Sequence, residues 1–251
     1  MTKLAEKDYV AKIGEGGKQH SLDKPWSDPT CGENLVGMGT IMQLLPEPPA
    51  RVLDLGCGAG WTSTFLALRG YEVVGQDIAP DMLALARENK RRYAVANLEF
   101  VEGDYEQLAF DNEFDAAMFY DCLHHSDDEA AALRAVYRAL KPGGIVVTHE
   151  PGEGHSTNPA SIHAMQMYGV NERDMPPWLI IKAARKAGFR EWRVLPIPAV
   201  LYGIFYRPGQ PAGRSRFLGP LIRRLKLLQP LQVWQMQRRA HRAGAIVVLT
   251  K

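Results

Sequence analysis

The sequence predicts an α/β protein built on a doubly wound, mostly parallel sheet. Short apolar runs alternate with segments of helical periodicity from Arg51 to His149, the pattern of strands joined by crossover helices. The first of these runs ends in a glycine-rich turn that opens straight into a helix. The chain has 251 residues, 46% hydrophobic and 23% charged, enough for one large domain with a modest insertion.

The elements follow in order. Met1 to about Pro49 reads as an N-terminal cap, with breakers at Gly14, Gly16, Gly17, Pro25, Pro29 and Gly32 and a short helix at Glu33–Leu45. The cap precedes a domain over residues 50–251. Arg51–Leu55 is a strand, Trp61–Arg69 a helix, Glu72–Gln76 a second strand and Pro80–Tyr93 a second helix. Leu98–Glu102 and Phe114–Tyr120 are the third and fourth strands. A helix over Asp127–Leu140, capped around Ser126, ends at Lys141-Pro142-Gly143-Gly144, and Ile145–His149 is the fifth strand. Glu150–Pro177 reads as irregular, with residues 151–177 as an acceptor-side insertion. A helix at Trp178–Ala187 and a strand-rich stretch at Phe189–Tyr206 come next, and Ala245–Thr250 closes the chain as a strand.

Composition narrows the function classes. Cys31, Cys57 and Cys122 are odd in number and lack metal-ligand spacing, so neither a disulfide framework nor a structural zinc site is expected. No apolar run approaches the ~20 residues of a membrane span, and the expected location is cytoplasmic. Net charge is +2, yet residues 207–242 hold nine Lys/Arg and no acid, leaving 21 basic against 28 acidic residues elsewhere. Apolar Phe217, Leu221, Leu225, Leu228 and Trp234 are interleaved with those arginines. Residues 207–243 therefore read as a basic amphipathic insertion, packed on its own domain or in peripheral contact with an anionic membrane. No recognisable nucleic-acid motif accompanies it, and nucleic-acid contact is not expected.

The sharpest signal is Val52-Leu53-Asp54-Leu55-Gly56-Cys57-Gly58-Ala59-Gly60. Glycines at alternate positions permit a tight strand-to-helix turn and close approach of a ligand to backbone. The spacing is G-x-G-x-G, not the G-x-G-x-x-G of dinucleotide sites. Asp54 stands two residues before the first glycine, where a pyrophosphate would be repelled. This stretch resembles the first motif of class I, Rossmann-like S-adenosylmethionine-dependent methyltransferases. The resemblance runs on through Asp77-Ile78 after the second strand, Gly103-Asp104-Tyr105 after the third, Phe114-Asp115 to Asp121 with Leu123-His124-His125, and Leu140–Gly144.

The resemblance implies a seven-stranded sheet whose last strands are antiparallel, and S-adenosylmethionine as cofactor. It implies that Asp54, Gly56, Cys57, Gly58 and Gly60 hold the methionine end. Asp77 is then expected at the ribose hydroxyls with Ile78 and Met82 beside it, and Gly103, Asp104 and Tyr105 near the adenine. Tyr120 and Asp121 complete the expected cofactor set. Because a sulfonium methyl is already activated, the protein's task is to align donor and acceptor and exclude water.

A hydroxyl acceptor benefits from a base, and histidine titrates in the right range. His124, His125, His149 and His155 lie at expected ligand-side positions, with His155 and His149 preferred. A metal on His149, Glu150, Glu153, His155 and His163 is not expected, because the spacing fits no structural zinc pattern. The stretch after the fifth strand resembles methyltransferases of surface-sugar pathways, which points to O-methylation of a sugar, glycan, lipid-linked glycan or other small molecule. N-methylation is the alternative. Two further readings are a nicotinamide-dependent oxidoreductase and a non-catalytic adaptor on the same fold.

Overall fold

Seven strands form one sheet in the order β3-β2-β1-β4-β5-β7-β6, in a computed structural model that describes residues 3–198 and 244–251. They are β1 (Arg51–Leu55), β2 (Glu72–Asp77), β3 (Leu98–Glu102), β4 (Phe114–Tyr120), β5 (Leu140–Glu150), β6 (Glu191–Pro196) and β7 (Ala245–Thr250). β1 to β5 are mutually parallel, and β7 runs antiparallel between β5 and β6. From β1 the chain winds outward to β2 and β3, then returns to β4 on the other side. That reversal opens a crevice at the carboxyl ends of β1 and β4, where ligands of such sheets bind.

The helices are α1 (Lys3–Lys7), α2 (Tyr9–Leu22), α3 (Cys31–Leu44), α4 (Trp61–Arg69), α5 (Pro80–Arg92), α6 (Glu129–Ala139), α7 (Pro159–Tyr168) and α8 (Pro177–Ala187). Successive strand residues point to opposite faces, so the sheet carries two cores. Leu53 and Leu55 pack with Leu133, Val136, Ile180 and Phe189 on the α6–α8 face. Val52 packs with Met38, Ile41 and Leu66 on the α3–α4 face. All ten of these side chains are at most 1% exposed, and each contributes about 1.5–3 kcal/mol by leaving water.

Three segments differ from the sequence expectation. The lead-in is largely helical: α2 runs through Gly16 and Gly17 and breaks only at Gly14, where φ is 65° and ψ −176°. The irregular stretch after β5 contains α7, which Asn158 starts by accepting from Ser161 N, with Pro159 in the first turn and Gly169 (φ 75°) ending it. The helix before β5 stops at Ala139, and its cap is Asp128, whose carboxylate accepts from Ala130 N and Ala131 N. Leu140 already pairs with Phe114, and the next pair is Ala116 with Ile145, so Lys141–Gly144 bulge out of the ladder.

The three cysteines are free. Among the described residues no helix is long and apolar enough to cross a membrane. The basic segment 207–243, and all but the first part of the strand-rich stretch ending at Tyr206, lie outside the described residues.

Candidate functional site

A cavity of about 260 Å³ lies beyond the carboxyl ends of β1, β2 and β4. Gly56, Gly58, Asp77, Ile78, Met82, Tyr105 and Asp121 of the expected cofactor set line it, together with His125. The structure adds Glu6 and Tyr9 from α1–α2, Ala79, Cys122, Ala164 from α7, Val170 and Glu172. A neighbouring recess of about 300 Å³, which shares Ile78, is lined by Lys3, Leu4, Lys7, Glu102, Gly103 and Asp104.

The glycine turn divides its labour. Gly58 has φ 53°, and a Cβ there would project into open space, which leaves its backbone bare toward the cavity. Gly60 (φ 75°) faces inward; a Cβ there would come within 2.9 Å of Phe100 and 3.0 Å of Ala86. It serves helix packing, and it is not part of the cavity wall. Gly56 lines the cavity, and a Cβ there would come within 2.9 Å of Cys122.

Asp77 joins the turn to β2. Its Oδ2 accepts from Gly58 N at 2.8 Å and its Oδ1 from Ala79 N at 2.9 Å. Burial raises its pKa, and those two amides pull in the opposite direction. Asp54 behaves differently from the expectation that it meets the ligand. It is 1% exposed and lies behind the wall, where Oδ2 accepts from Thr62 Oγ1 (2.6 Å) and Ser63 Oγ (2.5 Å) at the start of α4. Desolvation lifts its carboxyl to about 6 against the pull of those hydroxyls. Cys57 is also buried, and burial raises its thiol far above the ordinary value.

At the other strand ends, Tyr105 donates to Cys122 O at 3.1 Å. Asp104 Oδ1 accepts from Glu106 N, while Oδ2 meets Lys3 Nζ at 2.5 Å. Lys3 also pairs with Glu106 at 2.9 Å, and Lys12 Nζ donates to Tyr168 O at 2.6 Å. The N-terminal helices thereby span the mouth from the end of β3 to α7. Asp121 has φ 54°, a backbone conformation that costs a non-glycine residue free energy and that concentrates at functional sites.

The four candidate histidines separate. His149 does not line the cavity. It stacks on Tyr120 (4.6 Å between centroids, 5° between planes) beneath Gly37 of α3, and burial lowers its pKa. Tyr120 is held there too, edge-on to Trp61 and donating to Asn34 O at 3.3 Å. Side-chain alternation accounts for this: Glu150, the next residue of β5, points the other way. Its carboxylate accepts from Cys122 N, Leu123 N and His124 N and meets His124 Nδ1 at 2.8 Å.

His124, His125 and His155 converge instead on Glu172. His155 Nε2 lies 2.6 Å from Glu172 Oε2 and His124 Nε2 lies 3.4 Å from it. Burial opposes the charge on His124, but the hydrogen bonds with Glu150 and Glu172 outweigh it and raise its pKa to about 10. Burial likewise opposes ionisation of Glu172, and its bonds with His124 and His155 hold it at about 2. His125 alone of the four lines the cavity, with Nδ1 3.3 Å from Glu6 Oε1. Sequence reasoning missed Glu172, Glu6 and Tyr9. Only the Asn158-Pro159 helix start signalled that the insertion is ordered enough to present Glu172.

Residues 53–148 match the methyltransferase domain family model. The chain is 37% identical over 115 residues to a ubiquinone biosynthesis O-methyltransferase of Xanthomonas campestris, covering 45% of this chain and 48% of that protein. That stretch spans about half the length of the curated relative. Among solved structures, Haemonchus contortus phosphoethanolamine N-methyltransferase 2, in complex with S-adenosyl-L-methionine, superposes with a TM-score of 0.66 at 20% identity, covering 97% of this chain and 59% of that one. The (4+2)-cyclase SpnF superposes with a TM-score of 0.65 at 20% identity, covering 100% and 97%. Likeness at that identity establishes the fold. Residues 53–148, which match the methyltransferase domain model, thus sit within a chain that shares the Rossmann-like fold of S-adenosylmethionine-dependent methyltransferases.

Proposed function

We propose that the chain transfers the methyl group of S-adenosylmethionine to an oxygen of a small-molecule acceptor, with a sugar, glycan or lipid-linked glycan as the leading class. The observation that carries this reading is the cavity wall where bare Gly58 backbone adjoins the Asp77 carboxylate. A nucleoside with a cationic tail needs both features, a carboxylate for ribose hydroxyls and an unobstructed turn for the chain beyond. In this reading Asp77 takes the ribose, Ile78 and Met82 flank the base, and Gly103, Asp104 and Tyr105 lie toward the adenine. Gly56, Gly58, Asp121 and the turn they frame receive the methionine end. Asp54, Cys57 and Gly60 support that turn from behind. Residues 1–49 act as the cap and 151–177 as the acceptor-side wall of the domain over 50–251.

Bound S-adenosylmethionine would supply an already activated methyl group, which the glycine turn and Asp77 would hold toward the acceptor oxygen, with S-adenosylhomocysteine as the leaving product. In the metal-free chain the hydroxyl proton passes to His125, which faces the cavity, while His124 and His155 stand behind it on Glu172. His149, under α3, takes no part. The sugar preference rests on the stretch after β5 and on the basic apolar segment of residues 207–243.

The test is calorimetric titration with S-adenosylhomocysteine, with reduced nicotinamide dinucleotide as control. Stoichiometric binding of the first alone is expected, and Asp77→Asn should weaken it roughly tenfold, the worth of one hydrogen bond to a charged group. Binding of the nicotinamide alone would make the chain an oxidoreductase, and binding of neither would favour an adaptor. With labelled methyl donor, incorporation into hydroxyl compounds is expected; incorporation only into amines would replace O- by N-methylation.

A further inference from the structure

We propose that His124, His125 and Glu172 form a binding site for one divalent transition-metal ion on the acceptor side of the cavity. Each offers a ligand atom, and the three atoms all lie within 4.8 Å of one another. The His124 Nε2 to Glu172 Oε2 separation is 3.4 Å. That is about the edge of a tetrahedron around an ion with bonds near 2.1 Å, the length of zinc bonds to histidine. Two imidazoles and one carboxylate are the donors such ions share, and this set leaves positions open.

Two independent observations point the same way. His124 Nδ1 lies 2.8 Å from Glu150 Oε2, and a carboxylate on the far nitrogen is how metal-binding imidazoles are oriented and made better donors. In addition, His125 Nδ1 and Glu6 Oε1 are buried and lack a hydrogen-bond partner although only 3.3 Å apart. Buried polar atoms are rarely left unsatisfied, and the His125 ring, with Nδ1 unpartnered, is available to an ion.

His125, Glu172 and Glu6 all line the cavity, so open coordination positions face the space left for the acceptor. An oxygen donor such as a vicinal diol or a carboxylate would complete the shell. The set differs from the one weighed in the sequence, on which no metal was expected: His149 lies under α3, and Glu172, which closes the site, comes from beyond α7. Binding of the ion stands apart from the methyl-transfer reading; only its part in seating the acceptor rests on it.

The experiment uses the full chain stripped with a chelator and titrated with Co²⁺ alone, read by visible absorption and calorimetry, with S-adenosylhomocysteine titrated in parallel. One Co²⁺ per chain is expected, with ligand-field bands and no sulfur-to-cobalt charge transfer. His125→Gln and Glu172→Gln should each weaken it at least ~10-fold, while His163→Gln should leave it unchanged. His125→Gln guards against a Glu172→Gln chain that fails to fold. Absence of stoichiometric binding, unchanged affinity in both ligand variants, or a sulfur charge-transfer band would each overturn the proposal. Loss of cobalt binding with S-adenosylhomocysteine binding intact removes the metal alone, and the converse removes the methyl-transfer reading alone.

Discussion

Gly58→Val should lower the affinity for S-adenosylhomocysteine by roughly 100-fold, the largest effect expected of any single substitution at the site. Two costs arise from one position. Gly58 adopts φ 53°, where a side chain costs about 1–2 kcal/mol. The new Cβ points into open space within the cavity wall, so branched methyls occupy volume the ligand needs. Forcing such atoms into a filled site costs about 1–3 kcal/mol, and each 1.4 kcal/mol is tenfold in affinity. Gly58→Ala, carrying the backbone cost with less bulk, should lose about tenfold. Calorimetry on the two variants decides the matter: equal affinity for wild type and Gly58→Val would mean that the ligand does not pass this turn.

Asp54→Asn should raise stability at neutral pH by up to about 3 kcal/mol, the energy of a carboxyl lifted from 3.8 to about 6. Between those pH values the folded chain retains a proton that the unfolded chain has released. Wild-type stability therefore falls as pH rises through this window and is level above it. Asparagine does not titrate there and keeps an oxygen for the Thr62 and Ser63 hydroxyls. Its denaturation midpoint should exceed that of wild type at pH 7 and converge with it near pH 4. Parallel curves across the window, or a less stable variant at pH 7, would show that Asp54 is not held ionised at a cost. Affinity for S-adenosylhomocysteine should change by no more than a few-fold if Asp54 only supports the turn. A tenfold loss would instead put its charge in direct touch with the ligand.

These two residues show how legible the site was. Both belong to the same nine-residue motif, Val52–Gly60, and the resemblance assigned both to the ligand. Whether a residue in such a turn faces outward or inward depends on dihedral angles and on what packs behind it. Gly58 projects into open space, whereas Gly60 abuts Phe100 and Ala86, and Asp54 points at α4. Nothing in spacing alone separates them. The same holds for His149 and Glu150, neighbours on β5 that point to opposite faces. One lies under α3, while the other organises the loop after β4.

By itself the sequence determined the order of strands and helices from Arg51 to His149, the position of the glycine turn and the acids at successive strand ends. Those depend on short-range patterns: apolar period, capping and turn residues. It missed α2 and α7, whose glycines and prolines argue against helix locally and whose contacts are made at a distance. Lys12 of α2 bonds to Tyr168 O at the end of α7, and Arg92 of α5 pairs with Asp23 just past α2. Tertiary structure alone decided that Glu6, His125 and Glu172, drawn from three distant parts of the chain, share one wall of a cavity. The reason is physical: a parallel sheet collects the ends of distant strands along one edge, and long-range packing chooses which loops and helices close over it.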